Sequence, residues 1–187
     1  GRQVPTVDQI SLEQMKNYTI IDDNIVGSKF QGRSLQNPTY NREGQPEYYG
    51  DMRHYRVPAN VELRQIFNTN GYNGVVNGLV VYIEGKVHLV GNSLNDITLV
   101  VADGGEIILD TDENNFSNQG RFVVCPGGKI TGKNGAVFNV SNGGWCYIAG
   151  TIDYNGTLNL NGSRFYNNNI VNVDVMMGTS QGTHFIN

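Results

Sequence analysis

One short pattern recurs along the chain as Val81-Tyr-Ile-Glu-Gly-Lys-Val87, Val100-Val-Ala-Asp-Gly-Gly-Glu-Ile107, Val123-Val-Cys-Pro-Gly-Gly-Lys-Ile130 and Cys146-Tyr-Ile-Ala-Gly-Thr-Ile152. Each copy reads as a strand, a turn that ends in glycine, one polar residue and a β-branched residue. The aligned glycines, 20, 23 and 22 residues apart, are Gly85, Gly105, Gly128 and Gly150. This period is the length of one β-solenoid coil with two or three short strands.

Stacked coils explain why the pattern repeats. A single coil cannot bury its own apolar face, but coils stacked about 4.8 Å apart pair their backbones and share a core. We expect apolar side chains to point inward and polar ones outward, with the aligned glycines turning corners at positive φ. Asparagines in the turns are expected to form ladders between coils. Two interior columns are predicted: Val101 over Val124 over Tyr147, and Ile107 over Ile130 over Ile152.

The composition fits many short strands and tight turns. The chain holds 24 Gly and 25 Asn, the residues that best tolerate left-handed backbone, and only 16% charged residues. The net charge of -4 and the scattered Lys and Arg give no basic surface for nucleic acid. No apolar stretch approaches the roughly 20 residues that span a bilayer, so we expect no direct membrane insertion of this segment.

The chain divides into a leader segment, residues 1–57, and a solenoid domain, residues 58–187. The leader is proline-rich and mostly irregular, and we expect it to wrap or cap the main domain. Ser11-Leu-Glu-Gln14 has capping-box spacing and predicts a helical turn from Leu12, and Thr19-Ile-Ile21 predicts a short strand. Residues 31–50 read as loop.

A small helical cap is predicted over residues 61–67. Leu63, Ile66 and Phe67 share one helical face there, and Asn60 suits the N-cap; a strand is the alternative interpretation. The predicted fold class is therefore all-β: a short parallel β-helix with an irregular leader and a small helical cap. The sequence stops at Asn187 without a capping signal, which favours truncation of a longer solenoid.

The segment from Gly156 to Asn187 carries a family resemblance. Gly156-Thr-Leu-Asn-Leu-Asn-Gly-Ser-Arg-Phe-Tyr-Asn-Asn-Asn-Ile-Val-Asn-Val-Asp174 and Gly182-Thr-His-Phe-Ile-Asn187 resemble stretches found upstream of the LruC domain in Bacteroidetes-type surface lipoproteins. The resemblance covers roughly residues 78–187. It implies export, lipid anchoring at the cell surface through a removed N-terminal segment, and a stalk or adhesin-like role. The LruC domain and a lipobox cysteine are both absent from this sequence.

The acidic residues argue against an enzyme. A β-helix that degrades acidic polysaccharides needs carboxylates clustered in neighbouring coils, with an Arg or Lys beside them. The corresponding turn positions here are Glu84, Asp103, Pro126 and Ala149, so the acids end after two coils. We expect no catalytic residues, although a truncated β-helix polysaccharide-degrading enzyme stays an alternative.

No metal or cofactor site is expected either. Asp110-Thr-Asp-Glu-Asn-Asn115 has D-x-D-x-N spacing, but Asn115 replaces the glycine of a calcium loop and no distal Glu follows. A solvated loop between coils is the interpretation we favour for it. His54, His88 and His184 lack ligand spacing and are expected to face solvent or pack.

The two cysteines are predicted to be free and largely buried. Alignment of Val124 with Tyr147 places Cys125 and Cys146 in adjacent coils, two positions out of register and on one side of the sheet. Their Cα atoms would then be roughly 8 Å apart, beyond the reach of a disulfide.

The aromatic residues suggest one alternative function. An exposed row of Trp145, Tyr154 and Tyr166 would stack on sugar rings, while Tyr147 and Phe165 are expected to fill the core. The favoured interpretation is a non-catalytic extracellular structural or adhesin-like module, and the first alternative is a carbohydrate-binding module. The expected partners of the chain are a glycan or another surface protein, and a dimer made end to end or by the leader is a further alternative.

Overall fold

The computed structural model describes residues 12–21, 39–47, 50–51, 53–65, 79–89, 94–95, 97–110, 113–117, 120–140, 144–160, 164–177 and 184–186. One short helix, α1, spans Leu12–Met15. The strands of these ranges are, in chain order, β1 Thr19–Ile20, β2 Thr39–Tyr40, β3 Pro46–Glu47, β4 His54–Val57, β5 Glu62–Gln65, β6 Leu79–Ile83, β7 Lys86–Leu89, β8 Leu94–Asn95, β9 Ile97–Val101, β10 Glu106–Leu109, β11 Glu113–Ser117, β12 Arg121–Val124, β13 Lys129–Gly132, β14 Ala136–Val140, β15 Trp145–Ile148, β16 Thr151–Asp153, β17 Gly156–Asn159, β18 Arg164–Asn167, β19 Ile170–Asn172, β20 Val175–Met177 and β21 His184–Ile186.

Three parallel sheets form the faces of a β-solenoid, as predicted. The first sheet is ordered β1-β4-β6-β9-β12-β15-β18-β21, the second β19-β16-β13-β10-β7-β5, and the third β20-β17-β14-β11-β8. From β6 to β20, each coil supplies one strand to each face, and each strand inside a sheet pairs with its equivalents in the coils before and after it. Strands β2 and β3 form a separate antiparallel hairpin.

The glycine alignment and one of the two predicted columns are confirmed. Ile107 lies opposite Ile130, which lies opposite Ile152, and all three are fully buried. The other column is wrong in its last member, because Val124 lies opposite Ile148 while Tyr147 lies opposite Val123. One residue separates Ile148 from Gly150, whereas three separate Val124 from Gly128. The shorter turn moves the register, and a one-residue slip reverses which side chains face the core.

The repeated glycines serve close packing rather than positive φ. Left-handed φ occurs instead at the residues before two of them, Gly104 at 79° and Gly127 at 82°. A Cβ on Gly105 would lie 2.2 Å from the carbonyl oxygen of Ile83, in the preceding coil. A Cβ on Gly150 would likewise lie 2.2 Å from the carbonyl oxygen of Gly128. The expectation of positive φ at the aligned glycines is therefore wrong: stacked backbones leave no room there for a side chain.

The helical cap predicted over 61–67 is wrong for the residues that the structure describes. Residues 62–65 form β5, which pairs with β7 and places Leu63, 1% exposed, opposite Val87. Glu62 and Arg64 point outward, so the segment follows the period of a strand. Backbone pairing with the next coil outweighs the local helical pattern; Ile66 and Phe67 lie outside the described residues.

Part of the leader belongs to the first sheet. The predicted helical turn and short strand are present as α1 and β1, and β1 pairs with β4. Both strands lie in the segment that the sequence analysis assigns to the leader, and the boundary between residues 57 and 58 stays a prediction. The backbone nitrogen of Ile21 donates to the carbonyl oxygen of Arg56 at 2.8 Å.

Two apolar clusters hold the fold together. The main core fills the solenoid from Ile21 and Tyr55 at one end to Leu160 and Phe165 near the other. The outer cluster lies on the outward face of the first sheet, where α1 packs. It consists of Met15, Tyr82, Val100, Ala102, Val123 and Cys125. The expectation that outward positions are polar is therefore wrong on this face.

Asparagine side chains do link neighbouring coils. Asn155 Nδ2 donates to Asn134 Oδ1 at 3.2 Å, in the turns that lead into β17 and β14. Asn172 Nδ2 donates to Asp153 Oδ1 at 3.1 Å along the second sheet. These bonds satisfy polar groups at the corners of the stack.

Candidate functional site

The three residues predicted to stack on sugars do not form one exposed row. Tyr154 is 5% exposed and belongs to the main core, where its hydroxyl donates to the carbonyl oxygen of Thr157 at 2.6 Å. Burial also raises the pKa of Tyr154 above its ordinary value. A ring in this position offers no face to a sugar, so Tyr154 serves packing.

Trp145 and Tyr166 instead share the outward face of the first sheet with Tyr147, and we name these three residues the aromatic face. Tyr147 lies opposite Tyr166 on the next strand, and Trp145 is two residues along the same strand. Trp145 and Tyr147 are half-buried and pack against the outer cluster, while Tyr166 is 9% exposed. The prediction that Tyr147 fills the core is therefore wrong. The same prediction for Phe165 is confirmed, because Phe165 is 2% exposed.

A second group of functional interest is a charged cluster on the outward face of the second sheet. His88 Nε2 lies 2.8 Å from Glu62 Oε1, and His88 Nδ1 lies 3.3 Å from Asp110 Oδ2. Arg64 Nη1 donates to the same oxygen of Asp110. The hydrogen bond from His88 lowers the pKa of Glu62. Three consecutive coils supply these four side chains. Because the coils are far apart in the sequence, no local motif predicts the cluster.

The geometry of the charged cluster suits mutual neutralisation. Both imidazole nitrogens of His88 lie near carboxylates, and Arg64 donates to the Asp110 oxygen that lies near His88 Nδ1. Among the described residues, no group of three or more His, Cys, Asp or Glu side chains could hold a metal.

The charged cluster continues along the stack in a second set of contacts. Glu106, 8% exposed, accepts a hydrogen bond from Thr131 Oγ1 at 2.6 Å, and Lys129 Nζ lies 3.5 Å from its other oxygen. Lys86 lies opposite Glu106 on the other side. The column Glu62-Lys86-Glu106-Lys129 thus alternates in sign, which favours the observed pairing of neighbouring coils.

The two acidic turn positions are Glu84 and Asp103; burial and these two carboxylates raise the pKa of Tyr82. Glu84 accepts a hydrogen bond from Arg56 Nε, and Arg56 Nη1 reaches the backbone oxygen of Lys16, 3.2 Å away. Asp103 lies beside Cys125, and burial together with the Asp103 carboxylate raises the pKa of that thiol to about 11. Arg56 therefore links Glu84 to Lys16, the residue that follows α1.

His54 is engaged at the edge of the leader. Its Nδ1 lies 2.6 Å from Asp51 Oδ2, and its ring centroid lies 4.8 Å from that of Tyr18. Burial works to raise the pKa of Asp51, but hydrogen bonds from His54 and from the Arg53 backbone outweigh it and leave the pKa lowered. Of His184, only its backbone place in β21 is described.

Part of the segment with calcium-loop spacing, residues 113–115, is a strand. Asn114 and Asn115 lie in β11, opposite Phe138 and Asn139 of β14. Asp110 is already engaged by Arg64 and His88. The prediction of a solvated loop is wrong for residues 113–117, because the third face of the coil starts there; Asp112 lies outside the described residues.

Both thiols are free and buried, as predicted, but for a different reason. Cys146 lies opposite Phe122 in the main core, whereas Cys125 belongs to the outer cluster. Burial raises the pKa of Cys146 far above its ordinary value. The two side chains point to opposite sides of the first sheet, so the predicted placement on one side is wrong.

Comparison with known proteins gives no match at all: no family model, no curated protein and no solved structure matches this chain. Within the described part of the chain, no helix has the length and apolar character that crossing a bilayer requires.

Proposed function

We propose that this chain is a non-catalytic structural or adhesin-like module of a surface protein, located outside the cell. The observation that carries this proposal is the constant register of the stacked strands. The column Leu63, Val87, Ile107, Ile130, Ile152 and Val171 runs from β5 to β19 without interruption. Such a stack behaves as a stiff spacer, since each coil is held by its neighbours on both sides.

The charges on the second sheet support the same proposal. Glu62, His88, Arg64 and Asp110 satisfy one another across three coils, and Glu106 is bonded to Thr131 and lies near Lys129. A polysaccharide-degrading site would instead need an acid and a base directed at the substrate. The surface location rests on the resemblance to the segments upstream of LruC domains.

Two measurements test this proposal. Antibody against the chain should label intact, unpermeabilised cells of the source organism, and external protease should remove the label. The purified chain should release no reducing ends or unsaturated products from acidic polysaccharides. Labelling only after lysis would contradict the location, and turnover that is lost in His88→Ala would contradict the non-catalytic role.

The aromatic face favours carbohydrate binding as a second candidate function. Trp145 lies opposite Arg121 on the neighbouring strand, so an aromatic and a cationic residue share one surface. Trp145 is also the only tryptophan in the sequence, and its fluorescence would report a stacked sugar directly. A glycan array should then give hits that Trp145→Ala abolishes and Tyr154→Phe retains; an array without hits counts against this candidate.

A further inference from the structure

A cationic residue borders the aromatic face. Arg121 and Trp145 lie opposite each other on β12 and β15, and both are half-buried. On the other side of Arg121 the first sheet continues with Thr98, which is 6% exposed. Arg121 therefore stands between an aromatic residue and a small polar one, at the edge of the aromatic face.

The strands of the aromatic face carry no negative charge. The residues of β12, β15 and β18 include no Asp or Glu. Asp103 lies beside Cys125, which is four residues along the chain from Arg121, roughly 13 Å in an extended strand. Because the whole chain has a net charge of -4, this surface differs from the rest in favouring an anionic ligand.

The position of Arg121 matches the place where a sugar acid carries its charge. A sugar that stacks on Trp145 presents a face of carbon–hydrogen groups to the indole ring. The carboxylate of a hexuronic acid projects from the edge of the sugar ring, so its binding partner must lie beside the stacking residue. Neighbouring strands are about 4.8 Å apart, and Arg121 is the residue directly beside Trp145 on β12.

The chemistry of arginine suits this position. A guanidinium binds a carboxylate through two parallel N–H···O hydrogen bonds, which fix the orientation of the ligand as well as its charge. It has five N–H donors, so it can hold a ligand in addition to a bond within the chain. The ammonium group of lysine has the same charge but lacks the planar pair of donors.

We propose that the aromatic face binds acidic glycans, with Trp145 and Tyr147 stacked on sugar rings and Arg121 holding the carboxylate of a hexuronic acid. This inference rests on the second candidate function, carbohydrate binding, and names its ligand class. Trp145 and Tyr147 lie two residues apart on one strand, roughly 6.6 Å, so they suit neighbouring sugars of a chain. Tyr166, 9% exposed, lies opposite Tyr147 and offers little area of its own.

The fluorescence of Trp145, followed while oligosaccharides are added to the whole chain, tests the proposal. The probes are tetramers of galacturonate, glucuronate and mannuronate, each compared with its methyl ester, which keeps the sugar and removes the charge. We expect at least one acid tetramer to change the emission, and its ester to bind at least about tenfold more weakly, because the charge-assisted hydrogen bonds are lost. Added salt should weaken binding of the acid and leave binding of the ester unchanged.

Substitutions of Arg121 locate the charge that the ligand needs. Arg121→Gln should lower the affinity for the acid tetramer at least about tenfold and leave the affinity for its ester unchanged. Arg121→Lys keeps the charge and should retain only part of the affinity. The matched control is Lys129→Gln, which removes the same charge from a side chain 53% exposed on the second sheet and should bind like the original chain.

Far-UV circular dichroism establishes that each variant is folded; if Arg121→Gln does not fold, Arg121→Lys and the esters provide the test. Equal binding of acids and esters would overturn the acidic-ligand proposal and leave carbohydrate binding standing. Equal losses in Arg121→Gln and Lys129→Gln would do the same, as would glycan-array hits without binding of any acid tetramer. If neither the array nor calorimetry with the tetramers detects binding, both the ligand class and the second candidate function are wrong.

Discussion

The main core and the outer cluster bury apolar residues on opposite sides of the same sheet, but they are built differently. Every coil contributes to the main core through equivalent positions, as in the column of Ile107, Ile130 and Ile152. The outer cluster also uses equivalent positions, those of Tyr82, Val100 and Val123, but the helix α1 adds to it a single residue, Met15, that no other coil repeats. A sequence repeat therefore predicts the contacts that recur in successive coils. It does not predict a contact that occurs once, such as the one made by Met15.

The largest effect is expected from a truncation in the main core. Ile130 is fully buried in the middle of its column, so Ile130→Ala should lower the free energy of unfolding by about 2–5 kcal/mol, measured by urea denaturation. The control is Lys129→Ala on the same strand, whose side chain is 53% exposed, with an expected loss below about 1 kcal/mol. Equal losses would mean that Ile130 is not a core residue.

The second prediction concerns the close approach of the stacked backbones at Gly150. Gly150→Ala would place a Cβ 2.2 Å from the Gly128 oxygen and 2.4 Å from the Cys125 oxygen, both backbone atoms. The coils would have to separate locally, at a cost of about 3 kcal/mol or somewhat less. Gly104→Ala meets no atom within 4 Å and should cost only about 1 kcal/mol for its positive φ. The reverse order would contradict the close approach of the coils.

The outer cluster is expected to open without loss of the solenoid. Met15→Ala removes the side chain that α1 buries there, so Cys125 should react with a thiol reagent faster than in the original chain. Cys146, on the core side of the sheet, should stay unreactive until urea unfolds the protein. Mass spectrometry after alkylation distinguishes the two sites, and simultaneous labelling of both would show that the clusters are not independent.

The smallest effect concerns alkaline pH. The pKa of Cys125 rises from 9.0 to about 11 on folding, because burial and Asp103 disfavour the thiolate. The unfolded chain therefore loses this proton first, and stability is full below pH 9 and falls as the pH rises toward 11. Cys125→Ala should flatten this part of the stability curve, followed by chemical denaturation at each pH. An unchanged slope would contradict the assignment.

How much the sequence could predict follows from the same contrast. The parallel solenoid and the Ile107-Ile130-Ile152 column were readable because apolar residues recur at one period. The strand at 62–65 was not predictable in the same way, because Leu63, Ile66 and Phe67 also fit one face of a helix. Pairing with β7 favours the strand over the helix. The turn before Gly150 is two residues shorter than the turn before Gly128. For this reason Tyr147, which was predicted to lie in the core, lies on the outward face of the sheet.

The surfaces were less predictable than the core. His88, Glu62 and Asp110 meet only because stacking brings three coils together, and none of them stands out in its own stretch of sequence. Trp145 and Tyr166 share a face, but Tyr154 turns inward to bond the Thr157 oxygen. A list of aromatic residues does not reveal which of them face solvent.

The stacking register itself can be tested by paired cysteines in a chain whose Cys125 and Cys146 are replaced by alanine. Lys129 and Thr151 lie opposite each other and point outward, so Lys129→Cys/Thr151→Cys should form a disulfide readily on mild oxidation. Lys129→Cys/Asp153→Cys is out of register by two residues and should stay reduced. A disulfide in the second pair but not in the first would show that the coils are not stacked as described.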